Sequence, residues 1–378
     1  MKLRVVLLIF SLSVSSLVFG QVDSRATVET KVLYKKLMDI SKSFKRKQKI
    51  LLGQQAAFTE GRGWRHHNEQ LGTPLRSDMF DATGVHPAVF GLDFDEIGDW
   101  NQDFIRERIE LVHQAEGVIT LSWHMKSLVK DFIGSGSAND LSTKVTARIL
   151  PGGSHHEVYK KELDRFIVFM KSISHVPVIF RPFHEHNGQW FWWGPLLTSE
   201  KEYISLWKFT VDYLWENGVH NMLLGYSPVE YVLTDYLKGY PGDNYVDIFG
   251  IDMYFLGNVK DRLIQGNISP QYRWKRNVIN LLKLATKHNK IPALTEFGQE
   301  GLTFKNFWTD YMSWPMEKAG MLQYVDAKDL PDLGFAYVML WRNDPTDRKH
   351  FYGPFPGHKL NDNFMDMLSK KIYVGLDL

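Results

Sequence analysis

Two glutamates stand in settings that suit acid–base chemistry. Glu185 lies in the run 181–194, RPFHEHNGQWFWWG, with Arg181 and His184 before it and Trp190, Phe191, Trp192 and Trp193 after it. A carboxyl among indole rings loses solvation, so its pKa rises and it can stay protonated as a general acid. Glu296 lies in LTEFG, where Gly298 offers the backbone a place to turn away. Two carboxyls about 5–5.5 Å apart suit retaining glycosidic cleavage. One attacks the sugar; the other protonates the leaving oxygen and then activates water. Asp252 and Glu230 are rival carboxylates, either able to pair with Glu185 in a wider, inverting geometry. A strand-end glutamate also commonly pairs with a buried arginine, a purely structural role.

Other chemistries find less support. The chain has no cysteine, which excludes disulfides, thiolate metal sites and a cysteine nucleophile. The pairs His66-His67 and His155-His156 and the triplet His184-Glu185-His186 are the histidine clusters, but no HExxH pattern accompanies them. No metal and no cofactor is therefore expected. ILLGQQAAFTEGRGW lacks the GxxxxGK[ST] of a phosphate loop, and no GxSxG elbow is present. With 45 Lys+Arg against 43 Asp+Glu, no basic excess points to nucleic acid. The unusual feature is aromatic content, 12 Trp, 16 Tyr and 24 Phe. Four aromatics in succession at 190–193 cannot all face one interior, so some are expected to line a cleft.

The elements that must position these residues follow a regular alternation. Strand-like apolar runs occur at 50–55, 86–94, 117–124, 176–184, 221–227, 246–254, 291–297 and 334–341. Each is apolar through its middle, as parallel strands buried on both faces require. Helical stripes lie between them, clearest at 157–174 and 275–288. Eight such repeats predict an α/β chain folded as a single (β/α)₈ TIM barrel. The polar and aromatic residues gather at the C-terminal ends of the runs, the face where barrel enzymes carry their sites. Glu185 and Glu296 follow the fourth and seventh runs, which lie across the mouth from each other.

The run 181–194 together with LTEFG at 294–298 resembles glycoside hydrolase family 26, the β-mannanases of clan A, along most of the chain. The resemblance implies Glu185 as acid/base and Glu296 as nucleophile. It also implies that His124, His184, Trp190, Tyr254, Trp341 and Arg342 line the subsites nearest the cut. Tyr254 is expected to donate to Glu296, Trp341 and Trp190 to stack on sugar faces, and Arg342 and His124 to bond sugars on the non-reducing side. His186 departs from the pattern, standing where Met is commoner. The substrate implied is β-1,4-mannan, galactomannan or manno-oligosaccharide. Mixed-linkage β-glucan and β-1,3-xylan are the alternatives, and a non-catalytic sugar-binding barrel is a third reading.

Two long loops are expected on the rim, 125–156 and 342–358, and His358 at the end of the second is expected to reach back to the cleft. A loop that walls off one end of the cleft would favour exo-type release of short units such as mannobiose. Residues 1–20 read as a signal peptide: Lys2 and Arg4, an apolar run, then Val18 and Gly20 before Gln21. The remainder, 21–378, is then the catalytic domain of a periplasmic or secreted monomer without a membrane span.

Overall fold

Eight parallel strands close on themselves: β1 Ile50–Gln55, β2 Val89–Asp93, β3 Val118–Ser122, β4 Val178–Arg181, β5 Met222–Tyr226, β6 Ile248–Phe255, β7 Ile291–Gln299 and β8 Tyr337–Leu340. The computed structural model describes residues 20–66, 71–98, 100–129, 137–230, 235–255, 270–313, 316–323 and 325–376. Each strand pairs with the next, and β1 closes the ring by pairing Leu51–Gln54 with Tyr337–Leu340. Nearly every strand residue is buried, which accounts for the continuous apolar runs. This is a (β/α)₈ barrel.

The helices pack outside the ring through their apolar stripes. His156–Ser172 buries Tyr159, Leu163, Phe166, Ile167, Phe169 and Met170. Glu200–Glu216 opens with a capping box, in which Ser199 and Glu202 satisfy each other's backbone N–H groups. The repeat is not uniform. Between β7 and β8 the chain makes a π-helical segment, Phe307–Ser313, and the short helix Lys318–Met321. No helix among the described residues is long and apolar enough to cross a membrane.

Both ends of the described chain lie at the underside of the barrel, where the strands begin. Val22 N–H donates to Asp247 Oδ1 at 2.8 Å, just before β6, and Asp23 pairs with His220 ahead of β5. Tyr373–Val374 adds a short parallel strand beside Ile50–Leu51, and Leu376 bridges to His86.

Several strand limits differ from the sequence expectation, and the differences in β4 and β7 move a site residue. β4 stops at Arg181 because Pro182 has no N–H to continue the ladder. Glu185 therefore sits in the following turn. β7 runs on to Gln299, so Glu296 lies inside a strand rather than at its end. Gly298 does not turn the chain away; a Cβ there would lie 2.5 Å from the Tyr352 ring, so the glycine makes room for that ring. β2 begins at Val89 and not at His86, which forms the separate bridge to Leu376.

Candidate active site

Glu185 is held by an unusual backbone. Its φ is +52° and that of Phe183 is +49°, a left-handed region that side-chain-bearing residues rarely adopt. The turn is over-determined: Glu185 N–H donates to Ser227 O at 2.8 Å and Gly188 N–H donates to Glu185 O at 2.8 Å. Strain stored this way is typical of sites where a side chain must be aimed. The carboxyl is almost buried, and the indole N–H of Trp190 donates to its Oε2 at 2.7 Å. Burial, followed by the negative charge of Glu296, pushes the Glu185 carboxyl up to about 8, although the Trp190 bond and the cations His124 and Arg181 pull the other way.

Glu296 is aimed by a bulge. Across β6, Ile251 pairs with Leu294 but Asp252 pairs with Glu296, so Thr295 is an extra residue on β7. The register also shifts on the β8 side. The kink leaves Glu296 facing the mouth, where Tyr254 Oη donates to Oε2 at 2.8 Å and Arg181 Nη2 donates to Oε1. Arg181 is fully buried and also pairs with Asp252 at 3.0 Å, while Thr295 Oγ1 donates to Asp252 at 2.6 Å. Carboxylate oxygens of Glu185, Asp252 and Glu296 lie within 4.8 Å of one another. Asp252 is thus tied to Arg181 beside Glu296. Glu230, the other rival, is buried with Asn277 donating to it at 3.3 Å.

The imidazoles extend this set. His124 Nδ1 donates to Asp93 Oδ2 at 2.7 Å, and His124 and His184 meet through their Nε2 atoms at 3.2 Å. Burial disfavours a charged His124, yet Asp93, with Glu296 and Glu96 behind it, outweighs that cost and pushes it up to about 9. Burial and the adjacent cations His124 and Arg181 hold His184 well below its ordinary value. One of the pair is therefore charged and the other neutral at pH 7. Phe191 packs edge-on to both rings, with centroids 5.3 Å from each.

Trp341 stands beside His124 and Tyr254, with ring centroids 6.3 and 6.5 Å away. Arg342, next in the chain, pairs with Glu60 at 3.3 Å and Glu96 at 3.1 Å. It lines a cavity of about 440 Å³ with Trp64, Arg65, Trp100 and the β8 loop residues Asp344, Pro345 and Thr346. The loops after β1 and β8 are joined here, since Arg62 donates to the carbonyls of Asp344 and Asp347.

The site thus brings together Glu185, Glu296, His124, His184, Trp190, Tyr254, Trp341 and Arg342. His358 is not among them. Its ring packs on Phe351 and Phe355, its Nδ1 accepts Leu360 N–H at 3.3 Å, and its carbonyl accepts from Asn361 at the start of the last helix. The aromatic run is also less exposed than expected. Trp192 and Trp193 are core residues whose N–H groups donate to Met125 O and His184 O, both at 2.8 Å. Only Trp190 of the four is half-exposed. The loop after β3 packs on this run through Trp192 N–H to Ala138 O and Asn139 to Trp190 O; its residues 130–136 lie outside the described ones. His186 is buried, stacked on Tyr203 with its Nε2 2.8 Å from Lys238 O. Arg181, Asp93, Glu60 and Glu96 are the working neighbours that spacing alone did not assign. The signal for Arg181 was a charged residue closing an otherwise apolar strand.

Comparison with known proteins identifies the family. The family model for glycosyl hydrolase family 26 matches residues 22–315. A mannan endo-1,4-β-mannosidase of Bifidobacterium adolescentis is 32% identical over 351 residues, covering 85% of this chain and 32% of its own length. One of Bacillus subtilis is 30% identical over 205 residues, covering 46% of this chain and 52% of its own. The chain therefore spans about a third and about half of the length of these two relatives. Among solved structures, a GH26 β-mannanase from Bacteroides ovatus superposes with a TM-score of 0.75 at 30% identity, covering 93% of this chain and 95% of that one. The catalytic domain of a Bacillus sp. JAMB-750 GH26 endo-β-1,4-mannanase gives 0.77 at 31%, covering 94% and 93%. With a family model matched over most of its length and solved structures of that family sharing its fold, the chain belongs to glycosyl hydrolase family 26.

Proposed function

We propose that this protein hydrolyses β-1,4-mannosidic bonds with retention of configuration, with Glu296 as nucleophile and Glu185 as acid/base. The observation that carries the reading is the approach of the two carboxylates, whose oxygens lie within 4.8 Å. An inverting enzyme keeps its carboxyls about 6.5–9.5 Å apart to admit a water between them. Glu296, oriented by Arg181 and Tyr254, attacks the anomeric carbon while Glu185 gives its proton to the departing oxygen. Glu185, now a carboxylate, then takes a proton from the water that releases the sugar from Glu296. The mannan substrate rests on the names of the relatives.

The test is a product time course on linear mannan, galactomannan, mixed-linkage β-glucan and β-1,3-xylan, run beside Glu185→Ala and Glu296→Ala. Mannan cleavage that falls about 10²- to 10⁴-fold in Glu185→Ala, and is lost in Glu296→Ala, is the expected result. Cleavage of another glycan alone would keep the mechanism and overturn the substrate. Sugar binding without cleavage in the wild type would overturn the enzyme.

A finer reading concerns the mode of attack. Beyond Trp341 the cleft meets the cavity bounded by the loops after β1, β2 and β8, which supports a walled glycone end and release of short units such as mannobiose. Viscosity that drops well ahead of reducing-end formation would sink this. We also infer a monomer exported by removal of residues 1–20; N-terminal sequencing should find Gln21 first, and light scattering a single chain.

A further inference from the structure

The two oxygens of Glu185 are treated differently. Oε2 accepts the indole N–H of Trp190 at 2.7 Å, whereas no described residue donates to Oε1. An indole nitrogen only donates, so Oε2 must act as acceptor for as long as this bond stands. The carbonyl oxygen of a protonated carboxyl is the stronger acceptor, so this bond favours the acid's proton on Oε1. Local sequence makes the contact possible. The turn at Glu185–Gly188 reverses the chain, and a Cβ on Gly188 would lie 2.4 Å from the Trp190 ring. The missing side chain at Gly188 thus lets the indole fold back onto a glutamate five residues earlier. Asn139, from the loop after β3, fixes the other side of Trp190 by donating to its carbonyl at 2.9 Å.

We propose that Trp190 is a positioning residue that assigns the acid's proton to Oε1 and stabilises the carboxylate left when that proton departs. The proposal rests on the reading of Glu185 as acid/base. In the first step a Glu296 oxygen bonds to the anomeric carbon, and the glycosidic C–O pair goes to the leaving oxygen. That oxygen takes the proton from Oε1, while Oε2 keeps its indole donor. In the second step Oε1 takes the water's proton as the water oxygen replaces Glu296. The negative charge that forms at Glu185 in between is matched by a hydrogen bond already in place, which strengthens as the charge develops.

The experiment compares wild type with Trp190→Phe, and with an enzyme carrying 3-benzothienylalanine at 190. The latter keeps the bicyclic shape and lacks the N–H, so it guards against a folding defect in the first. The pH profile of kcat/KM is measured on mannopentaose and on a dinitrophenyl β-mannobioside, whose leaving group needs no proton. In both variants the basic limb on mannopentaose should move up by about one pH unit, because the carboxylate has lost a donor. At the wild-type optimum kcat/KM on mannopentaose should fall about tenfold, while the aryl substrate loses less than about threefold. An equal fall on both substrates with the basic limb unmoved would overturn the proposal and leave Trp190 a stacking platform. Glu185→Gln separates the underlying reading. If that variant kept the wild-type limb and rate on mannopentaose, the acid/base assignment itself would fail.

Discussion

Asp93 holds His124 twice, accepting its ring Nδ1–H at 2.7 Å and its backbone N–H at 3.0 Å. The pair fixes a positive charge at the mouth, next to Trp341 and across from Glu296.

Asp93→Asn should remove that charge. The NMR midpoint of His124 should fall from about 9 to or below the ordinary histidine value of about 6.5. A histidine whose folded pKa is raised stabilises the fold fully below its unfolded value, and that contribution fades as pH climbs through about 9. Asp93, held below its ordinary range once the His124 interactions overcome burial, contributes above about pH 4 and loses its share only in acid. Thermal melts between pH 7 and 10 should therefore lose more Tm in wild type than in Asp93→Asn. Parallel declines would show that the pair adds no pH-dependent stability.

Arg181→Met should unfold at lower denaturant. It would leave Asp252 and Glu296 buried without their shared cation, a change that costs about 3–5 kcal/mol in comparable settings. Arg181→Lys should restore little of the activity, because an ammonium cannot fork between two carboxylates. Urea unfolding and turnover, measured on all three proteins, check both statements.

Tyr254→Phe should slow turnover about 10- to 100-fold with little change in stability. The lost hydroxyl donates to Glu296 Oε2, and with Glu296 as the proposed nucleophile it would stabilise the carboxylate that leaves the sugar. A burst of released aryl group followed by a slow steady state would place the larger defect in the second step. A raised KM with unchanged kcat would contradict it.

Asn343→Ala should loosen the rim selectively. Its side chain accepts from the backbone of Tyr352 and Gly353 at 3.0 and 2.9 Å and donates to Asp78 at 2.9 Å. Losing these buried contacts should cost about 2–3 kcal/mol. It should also raise hydrogen exchange across 343–354, and increase KM for long oligosaccharides more than for a short aryl substrate. Uniform protection across the rim would argue that other contacts hold the loop.

The eight strands were legible because each is buried on both faces, so its middle reads as one apolar run bounded by turns. Glu185 and Glu296 were legible because few carboxyls stand beside such runs on facing strands. Their exact aim was not. The bulge at Thr295 depends on how β7 pairs with both neighbours, and the left-handed turn at Glu185 depends on Ser227 from another loop. Nothing in Phe191, Trp192 and Trp193 themselves says which ring faces the core. That was decided by backbone acceptors at Met125 and His184.

Arg181 shows why residue type can support two readings at once. Pairing with a buried arginine was the structural explanation for a strand-end glutamate, and Glu296 does pair with one. The same contact fixes the orientation that the proposed chemistry needs, so the two explanations describe one interaction. His358 illustrates the opposite case. A histidine at the end of a long loop could close over the cleft, but two nearby phenylalanines and the start of a helix claim it instead.

The anchoring of Val22 near β6 and of Tyr373–Val374 beside β1 puts both tethering points on the face away from the acids. A bead, a surface or a second module joined directly ahead of Val22 or directly after Leu376 would hold the barrel with its mouth turned outward. Immobilisation chemistry aimed at these two points should therefore preserve access for a polymer as well as for a short oligosaccharide, whereas attachment through rim lysines such as Lys126 would crowd the entrance.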